Sequence, residues 1–239
     1  MSESREPDPR DCELCHAEGT PVGPTPVRLR LMPDIAPITP GHLLLVPEEH
    51  VYSFAQLATR HPRSVTALRG LLRGLHLRLV HRGYAGTMLF EHGSPDPWRP
   101  GVSGKCATTE HAHLHIVPRT TPVPPDVIEE AVLRMLPGSV WLADRASAAS
   151  HRERGYLWLS RDAGTRGRWL VPASGRVPSQ LMRRVICGHL HAGDDLVVRS
   201  HWRDFILFRE QVARAEAGAA RVLAAELAVD LRREDDVRT

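Results

Sequence analysis

Residues 111–118 read His-Ala-His-Leu-His-Ile-Val-Pro, three imidazoles at alternate positions. On an extended strand alternate side chains share a face, so His111, His113 and His115 line up on one side. Ala112, Leu114 and Ile116 then face a core. Imidazole serves as nucleophile, acid, base or metal ligand, and a row on one rigid strand is preorganised for any of these. Two chemistries stay open at this point: a row that acts on a substrate, and a metal ion held by all three histidines. The bland alternative is a solvated edge strand, although alternating histidines have no packing role on a polar face.

A second chemical element lies near the N-terminus. Cys12-Glu-Leu-Cys15 is a two-cysteine knuckle, which needs two further ligands to complete tetrahedral zinc. No second Cys-x-x-Cys exists, so those ligands must be distant in sequence. Cys12 to His16 also matches the c-type haem attachment motif, which requires export and an axial ligand. A redox pair is a third reading, but the proline-rich surroundings lack the strand-to-helix context that such pairs use.

The elements that must position these groups are legible in outline. Val27 to Met32 and Gly41 to Val46 read as strands, and Ser53 to Thr59 as the start of a short helix. Pro62 to Arg82 is an amphipathic helix: Leu68, Leu71, Leu72, Leu75 and Leu79 recur at helical spacing, and Gly83 ends it. His76 and His81 fall on its surface. Thr87 to Glu91 reads as a strand, followed by a Gly/Pro/Ser loop from Gly93 to Gly104 suited to a lid or a binding segment. Ser103 and Lys105, the only lysine of the chain, lie there as phosphate-binding candidates. Beyond the proline-rich break at Thr120 to Pro125, Asp126 to Leu136 reads as a helix. Tyr156 to Leu159 and Arg168 to Val171 read as a hairpin, with Trp158, Trp169 and Trp202 filling a core. Pro178 to Leu190 reads as a helix whose start, with Gln180 and Arg183, suits an anion. Glu210 to Arg233 is helical by propensity. The order of elements gives an α+β fold with an antiparallel sheet covered by helices.

The chain has 239 residues, 42% hydrophobic and 25% charged, with a net charge of +3. That charge is too mild to argue for nucleic acid, and no apolar run is long enough for a membrane span. Met1 to Asp11 has no apolar core of a secretory signal, so a cytoplasmic protein without a disulfide framework is expected.

The His-x-His-x-His-Ile-Val run, together with Pro40-Gly41-His42-Leu-Leu-Leu-Val46-Pro47-Glu-Glu-His50 upstream, resembles the histidine-triad (HIT) superfamily of nucleotide hydrolases and transferases. The resemblance covers about half of the chain, from residue 12 to about residue 120. It implies a HIT-like domain over 1–120 and a mixed α/β extension over 121–239. It implies a nucleoside-phosphate substrate, with His113 as the nucleophile that carries the nucleotide. His115 then donates hydrogen bonds to phosphoryl oxygens or helps protonate the leaving group, His111 orients the row, and His42 supports the active-site backbone. It also implies structural zinc on Cys12, Cys15, His50 and His111, and a homodimer. His92 falls near the site by the same resemblance. Before the triad the chain departs from the common family pattern: Ala107 stands where glutamine is usual, while Thr108 keeps the hydroxyl that contacts phosphate. Leaving-group preference therefore does not transfer. Two classes of function remain: an enzyme that transfers or hydrolyses at the α-phosphate, and a non-catalytic nucleotide- or metal-binding module on the same fold.

Overall fold

Short apolar runs punctuated by proline and glycine fold into strands, and the leucine-periodic segments fold into helices over them. The computed structural model describes residues 12–23, 25–35, 37–94, 111–119, 123–143, 155–162, 166–173, 177–178, 180–190 and 218–229. In chain order these form helix α1 (Glu13–His16), strands β1 (Thr20–Val22), β2 (Leu29–Pro33) and β3 (Leu43–Pro47), and helices α2 (Phe54–Arg60) and α3 (Ser64–His81). Strands β4 (Gly86–Gly93) and β5 (Leu114–Arg119), helix α4 (Pro125–Met135), and strands β6 (Val140–Leu142), β7 (Tyr156–Asp162) and β8 (Arg166–Val171) follow. Helix α5 (Leu181–Leu190) and a helix α6 over 218–229 complete them.

The strands make one eight-stranded sheet in the order β1-β2-β3-β5-β4-β7-β8-β6. Every pairing is antiparallel. The fold is α+β with an antiparallel sheet, as the pattern predicts. Strand β5 lies between β3 and β4, with Leu44 and Phe90 on either side of His115. The far edge of β4 is taken by β7, with Phe90 opposite Leu159 and Gly93 opposite Tyr156. The sheet therefore continues without a break into strands that follow residue 121.

Period-two alternation divides the side chains between two cores. Leu89, Leu114 and Ile116 face Leu72, Leu75 and Leu79 of α3 and Leu223 and Leu227 of α6. Met88, Phe90 and Val117 face the other way, toward Ile128 and Val132 of α4 and Met182 and Ile186 of α5. Each leucine so buried contributes about 1.5–3 kcal/mol. A small third cluster seats α1 on the sheet: Leu14 and Ala17 pack against Met32, Leu44 and Val46.

Some local expectations change. Gly83 follows the α3 C-cap with φ +88°, as expected. His76 is not a bare surface residue: its Nδ1 lies 3.0 Å from the Thr87 hydroxyl. Trp158 and Trp169 are half-buried, Trp158 packing against the core on the α3 side, and among the described residues the buried tryptophan is Trp141, whose indole N–H donates to the Glu129 carbonyl. Trp202 lies outside the described residues. Among these residues no helix is long and apolar enough to cross a membrane.

One buried carboxyl ties α2 to the sheet. Glu91, at the end of β4, accepts the Phe54 N–H at 2.7 Å and the Tyr156 hydroxyl at 2.6 Å. The Tyr156 ring passes over Gly93 so closely that a Cβ there would lie 2.3 Å from it. Burial pushes Glu91 up to about 7, against the two hydrogen bonds that favour its charged form. The folded protein thus binds a proton that the unfolded chain has already released above its ordinary value of 4.5. This contribution to stability is full below about pH 4.5 and is lost as pH rises through about 7, roughly 3 kcal/mol in all. Glu91→Gln removes the dependence. The wild-type minus variant unfolding free energy should fall by about 3 kcal/mol between pH 4.5 and 8 in denaturant titrations; a flat difference contradicts the assignment.

Candidate active site

The upstream Pro-Gly-His turn seats the first imidazole. Gly41 has φ +80°, and a Cβ on it would come 3.0 Å from the Tyr84 hydroxyl and 3.1 Å from Leu223. The turn closes when the His42 N–H donates to the Thr39 carbonyl at 3.1 Å. The His42 ring is fully buried, and its Nδ1 accepts the Ile38 N–H at 3.0 Å. A backbone N–H only donates, so His42 Nδ1 holds a lone pair and the ring proton sits on Nε2. His42 Nε2 lies 3.0 Å from His115 Nδ1. That nitrogen of His115 therefore accepts, and the His115 proton sits on its own Nε2.

The neighbour reads the opposite way. His113 Nδ1 lies 2.9 Å from the His111 carbonyl, which only accepts. His113 Nδ1 thus carries the proton and Nε2 carries the lone pair. The rings of His113 and His115 meet edge to face, with centroids 5.0 Å apart, and His115 stacks on Phe90 at 4.3 Å. Burial holds His42 down to about 4, and burial also holds His113 below and His115 well below the ordinary histidine value. The hydrogen bonds therefore place an unprotonated Nε2 on His113 beside a protonated Nε2 on His115.

Asp34, at the end of β2, lies beside this pair and carries no signal in the sequence reading. Its Oδ2 is 3.5 Å from His115 Nδ1, 3.6 Å from His42 Nε2 and 2.7 Å from Arg183 Nη2. Burial acts to raise Asp34, but the Arg183 guanidinium, with His42 and His115, holds it well below the usual carboxylate range. Asp34, His42 and His115 also bring three ligand-type atoms within 4.8 Å of one another. The oxygen they would share is already held by a guanidinium, so a cation there would face a like charge.

His111 does not share the row. It precedes the assigned start of β5, and its ring joins the knuckle instead. Cys12 Sγ and Cys15 Sγ lie 3.4 and 3.3 Å from His111 Nδ1, and Cys15 Sγ lies 3.2 Å from His50 Nδ1. The four ligand atoms fall within 4.8 Å of one another. A tetrahedron with zinc's usual bond lengths has sulfur–nitrogen edges of about 3.6 Å. His111 Nε2 donates to the Pro47 carbonyl at 2.9 Å, which turns the lone pair of Nδ1 toward both sulfurs, the arrangement of a ligating histidine. Burial and Cys12 push the Cys15 thiol up to about 12, a crowding that a shared dication relieves by displacing the thiol protons. The donor set therefore fits a closed structural metal site. Arg30 fixes the knuckle on the sheet by donating to the carbonyls of Ala17 at 2.6 Å and Leu14 at 3.0 Å. The three-histidine metal site is not what the geometry brings together.

Other candidates fall elsewhere. Arg183 was expected at a phosphate, yet its side chain is 4% exposed and turned onto Asp34. Gln180 precedes α5 with φ +62° and accepts from Arg183 Nε at 3.1 Å, so the start of α5 closes on its own residues. His92 lies on β4 near His113 and His115. Burial, with those two rings, holds it down to about 3, and its Nε2 has no hydrogen-bond partner among the described residues. Ser103, Lys105 and Thr108 lie outside the described residues.

Three solved structures are similar to part of the chain. A zinc-bound histidine triad family protein from Mycobacterium smegmatis is 20% identical, with a TM-score of 0.34, over 47% of this chain and 77% of its own. A Hit-like protein involved in cell-cycle regulation from Bartonella henselae is 19% identical, with a TM-score of 0.31, over 46% and 78%. A Streptococcus mutans protein is 24% identical, with a TM-score of 0.27, over 46% and 66%. No family model matches the chain. No curated protein matches it. The chemistry assigned to the site rests on its side chains and not on these likenesses.

The turn that delivers His42 depends on a residue without a Cβ. Gly41→Ala should cost about 1–2 kcal/mol for the left-handed backbone alone, before the contact with Tyr84. Chemical unfolding of the variant checks this, and an unchanged midpoint would contradict it.

Proposed function

We propose that this chain is a nucleotide hydrolase or nucleotidyltransferase that works at the α-phosphate of a nucleoside 5′-phosphate ester, anhydride or phosphoramidate. The observation that carries the reading is the opposite proton placement on two adjacent rings. A lone pair on His113 Nε2 is a nucleophile, and the N–H on His115 Nε2 is a hydrogen-bond donor for a phosphoryl oxygen or the leaving atom. In the first step His113 Nε2 bonds to phosphorus while the bond to the leaving group breaks, and the leaving group takes that electron pair. In the second step water, phosphate or another acceptor bonds to phosphorus. The P–N bond breaks, its electron pair returns to His113, and the acceptor's proton passes to solvent. Burial of His113 keeps it neutral, so the lone pair is present at pH 7 without a separate base.

Cys12, Cys15, His50 and His111 would hold zinc. Four protein ligands of this kind would make the site structural, supplying rigidity to the entry of β5 rather than chemistry at the substrate. His111, one of those four residues, carries the carbonyl that sets the His113 tautomer.

Intact-protein mass spectrometry after brief incubation with dinucleotides and nucleoside phosphoramidates tests the proposal. Wild type should gain one nucleotide and release product. His113→Ala should gain none, fold normally and lose about 10³-fold or more in turnover. Tight nucleotide binding with neither adduct nor product across the panel would identify a binding module instead. Elemental analysis should find about one zinc per chain, and chelation or Cys15→Ser should lower the thermal midpoint. A folded, metal-free preparation with an unchanged midpoint would remove the zinc assignment.

A further inference from the structure

Arg183 reaches the histidine pair from α5, on the far side of the break at 120–125. Its Nη2 donates to Asp34 Oδ2 at 2.7 Å, and its Nε donates to Gln180 Oε1 at 3.1 Å, so both edges of the guanidinium are used. Asp34 and Arg183 are each about nine-tenths buried or more, at 3% and 4% exposure. We propose that Arg183 sets the leaving-group preference of the site: by clamping Asp34 it keeps the His42–His115 pair neutral, so leaving groups that depart as anions are favoured, phosphoanhydrides over phosphoramidates. This rests on the nucleotidyl-transfer reading above.

The argument begins with the shared oxygen. An uncompensated carboxylate within 3.6 Å of both facing imidazole nitrogens would draw a proton onto the pair. A guanidinium on that same oxygen neutralises it. Among the described residues, the other groups facing the pair add no negative charge. His113 at the entry to β5 and His92 on β4 lie beside the pair and are imidazoles, which carry no negative charge, and burial holds His92 down to about 3. Cys187 is one helical turn beyond Arg183 on α5, and burial pushes its thiol up to about 11. The neutral pair keeps its proton order, with His42 Nε2–H donating to His115 Nδ1 at 3.0 Å.

That order decides what His115 can give. Its Nδ1 already accepts a hydrogen bond, so losing the Nε2 proton would leave an imidazolate. It can hydrogen-bond a departing atom but not protonate it. A phosphate leaving an anhydride departs as a stable anion and needs only that bond. The nitrogen of a phosphoramidate must gain a proton as the P–N bond breaks, because an amide anion does not leave. An imidazolium at His115, with Nδ1–H on Asp34, would supply that proton. Arg183 is thus a positioning residue that acts through Asp34.

The test compares wild type with R183Q by nitrogen NMR of the histidine rings and by turnover of a dinucleoside tetraphosphate and a nucleoside phosphoramidate of the same base. Wild type should show one bare and one protonated nitrogen on both His42 and His115 at pH 7, and should prefer the anhydride. R183Q should lose the bare-nitrogen signal of His115, and its kcat/KM ratio should move about tenfold or more toward the phosphoramidate. D34N/R183Q, which removes both charges, should restore the neutral spectrum and the wild-type ratio. An unchanged spectrum or an unchanged ratio in folded R183Q overturns the proposal. Should R183Q fail to fold, D34N decides: its pair must resist protonation to a lower pH than wild type, and an unchanged midpoint overturns the clamp. If wild type turns over neither substrate, the nucleotidyl-transfer reading and the substrate preference both fall. The ring spectra still decide whether Arg183 governs the protonation of the pair.

Discussion

An imidazole buried away from water stays neutral, and a neutral imidazole has one N–H and one lone pair to place. The whole site follows from how that constraint is met. Three of the buried rings are each tied at one nitrogen to a backbone group that has no choice of role. Ile38 N–H fixes His42, the His111 carbonyl fixes His113, and the Pro47 carbonyl fixes His111. The link from His42 to His115 joins two side chains, and its direction is inherited from Ile38. The sheet backbone therefore dictates which nitrogens stay bare. The dryness that enforces neutrality comes from the apolar face around Phe90 and Val117.

His111 joins the two halves of this arrangement. Its ring belongs to the thiol cluster, while its carbonyl sets the tautomer of the residue two positions on. Whatever anchors the ring also anchors the carbonyl, since both hang on one residue at the entry to β5. The Ala112 N–H donates to the Val51 carbonyl at 2.6 Å, so the entry is pinned on the other side as well. Helix α1 is a single turn with no buried residue of its own, too short to hold its place by helix formation. Its position comes from Leu14 and Ala17 packing on β2 and β3 and from Arg30, which is why the knuckle meets His111 at all.

How much of this was legible depends on whether a signal is local. Alternation at 111–116 shows which residues face the core, and Ala112, Leu114 and Ile116 are buried there. Leucine spacing gives α3 to within two residues at its start. What alternation could not show is that the ring of His111 leaves the row, because strand spacing predicts a shared face only where the chain is already a strand. His50 and His111 were paired with the knuckle by family resemblance, since no spacing rule links residues a hundred positions apart. Asp34 had no signal: a single carboxylate at a strand end looks like a turn residue. Arg183 looks like an anion ligand in the sequence because an arginine near a helix start is normally open to solvent. Its true partner lies 149 positions away. The pairing of β7 with β4 was hidden for the same reason, as a proline-rich stretch looks alike whether a sheet stops or continues beyond it.

The Asp34–Arg183 pair is a poor choice if stability were its only effect. Desolvating two charges costs several kcal/mol per ion, roughly what their attraction returns, and apolar side chains of equal volume often do as well. What apolar contacts do not provide is a fixed address. Leu181, Met182 and Ile186 would let α5 settle on the sheet in more than one rotation, since a smooth apolar face is tolerant. A buried guanidinium accepts only the orientation in which its fork meets a carboxylate, and among the described residues the carboxylate it meets is Asp34, beside His42 and His115. The docking of the C-terminal half and the charge state of the pair are therefore a single event: a rotation of α5 that broke the ion pair would leave Asp34 charged against His42 and His115, and the nearest proton acceptors are those two rings.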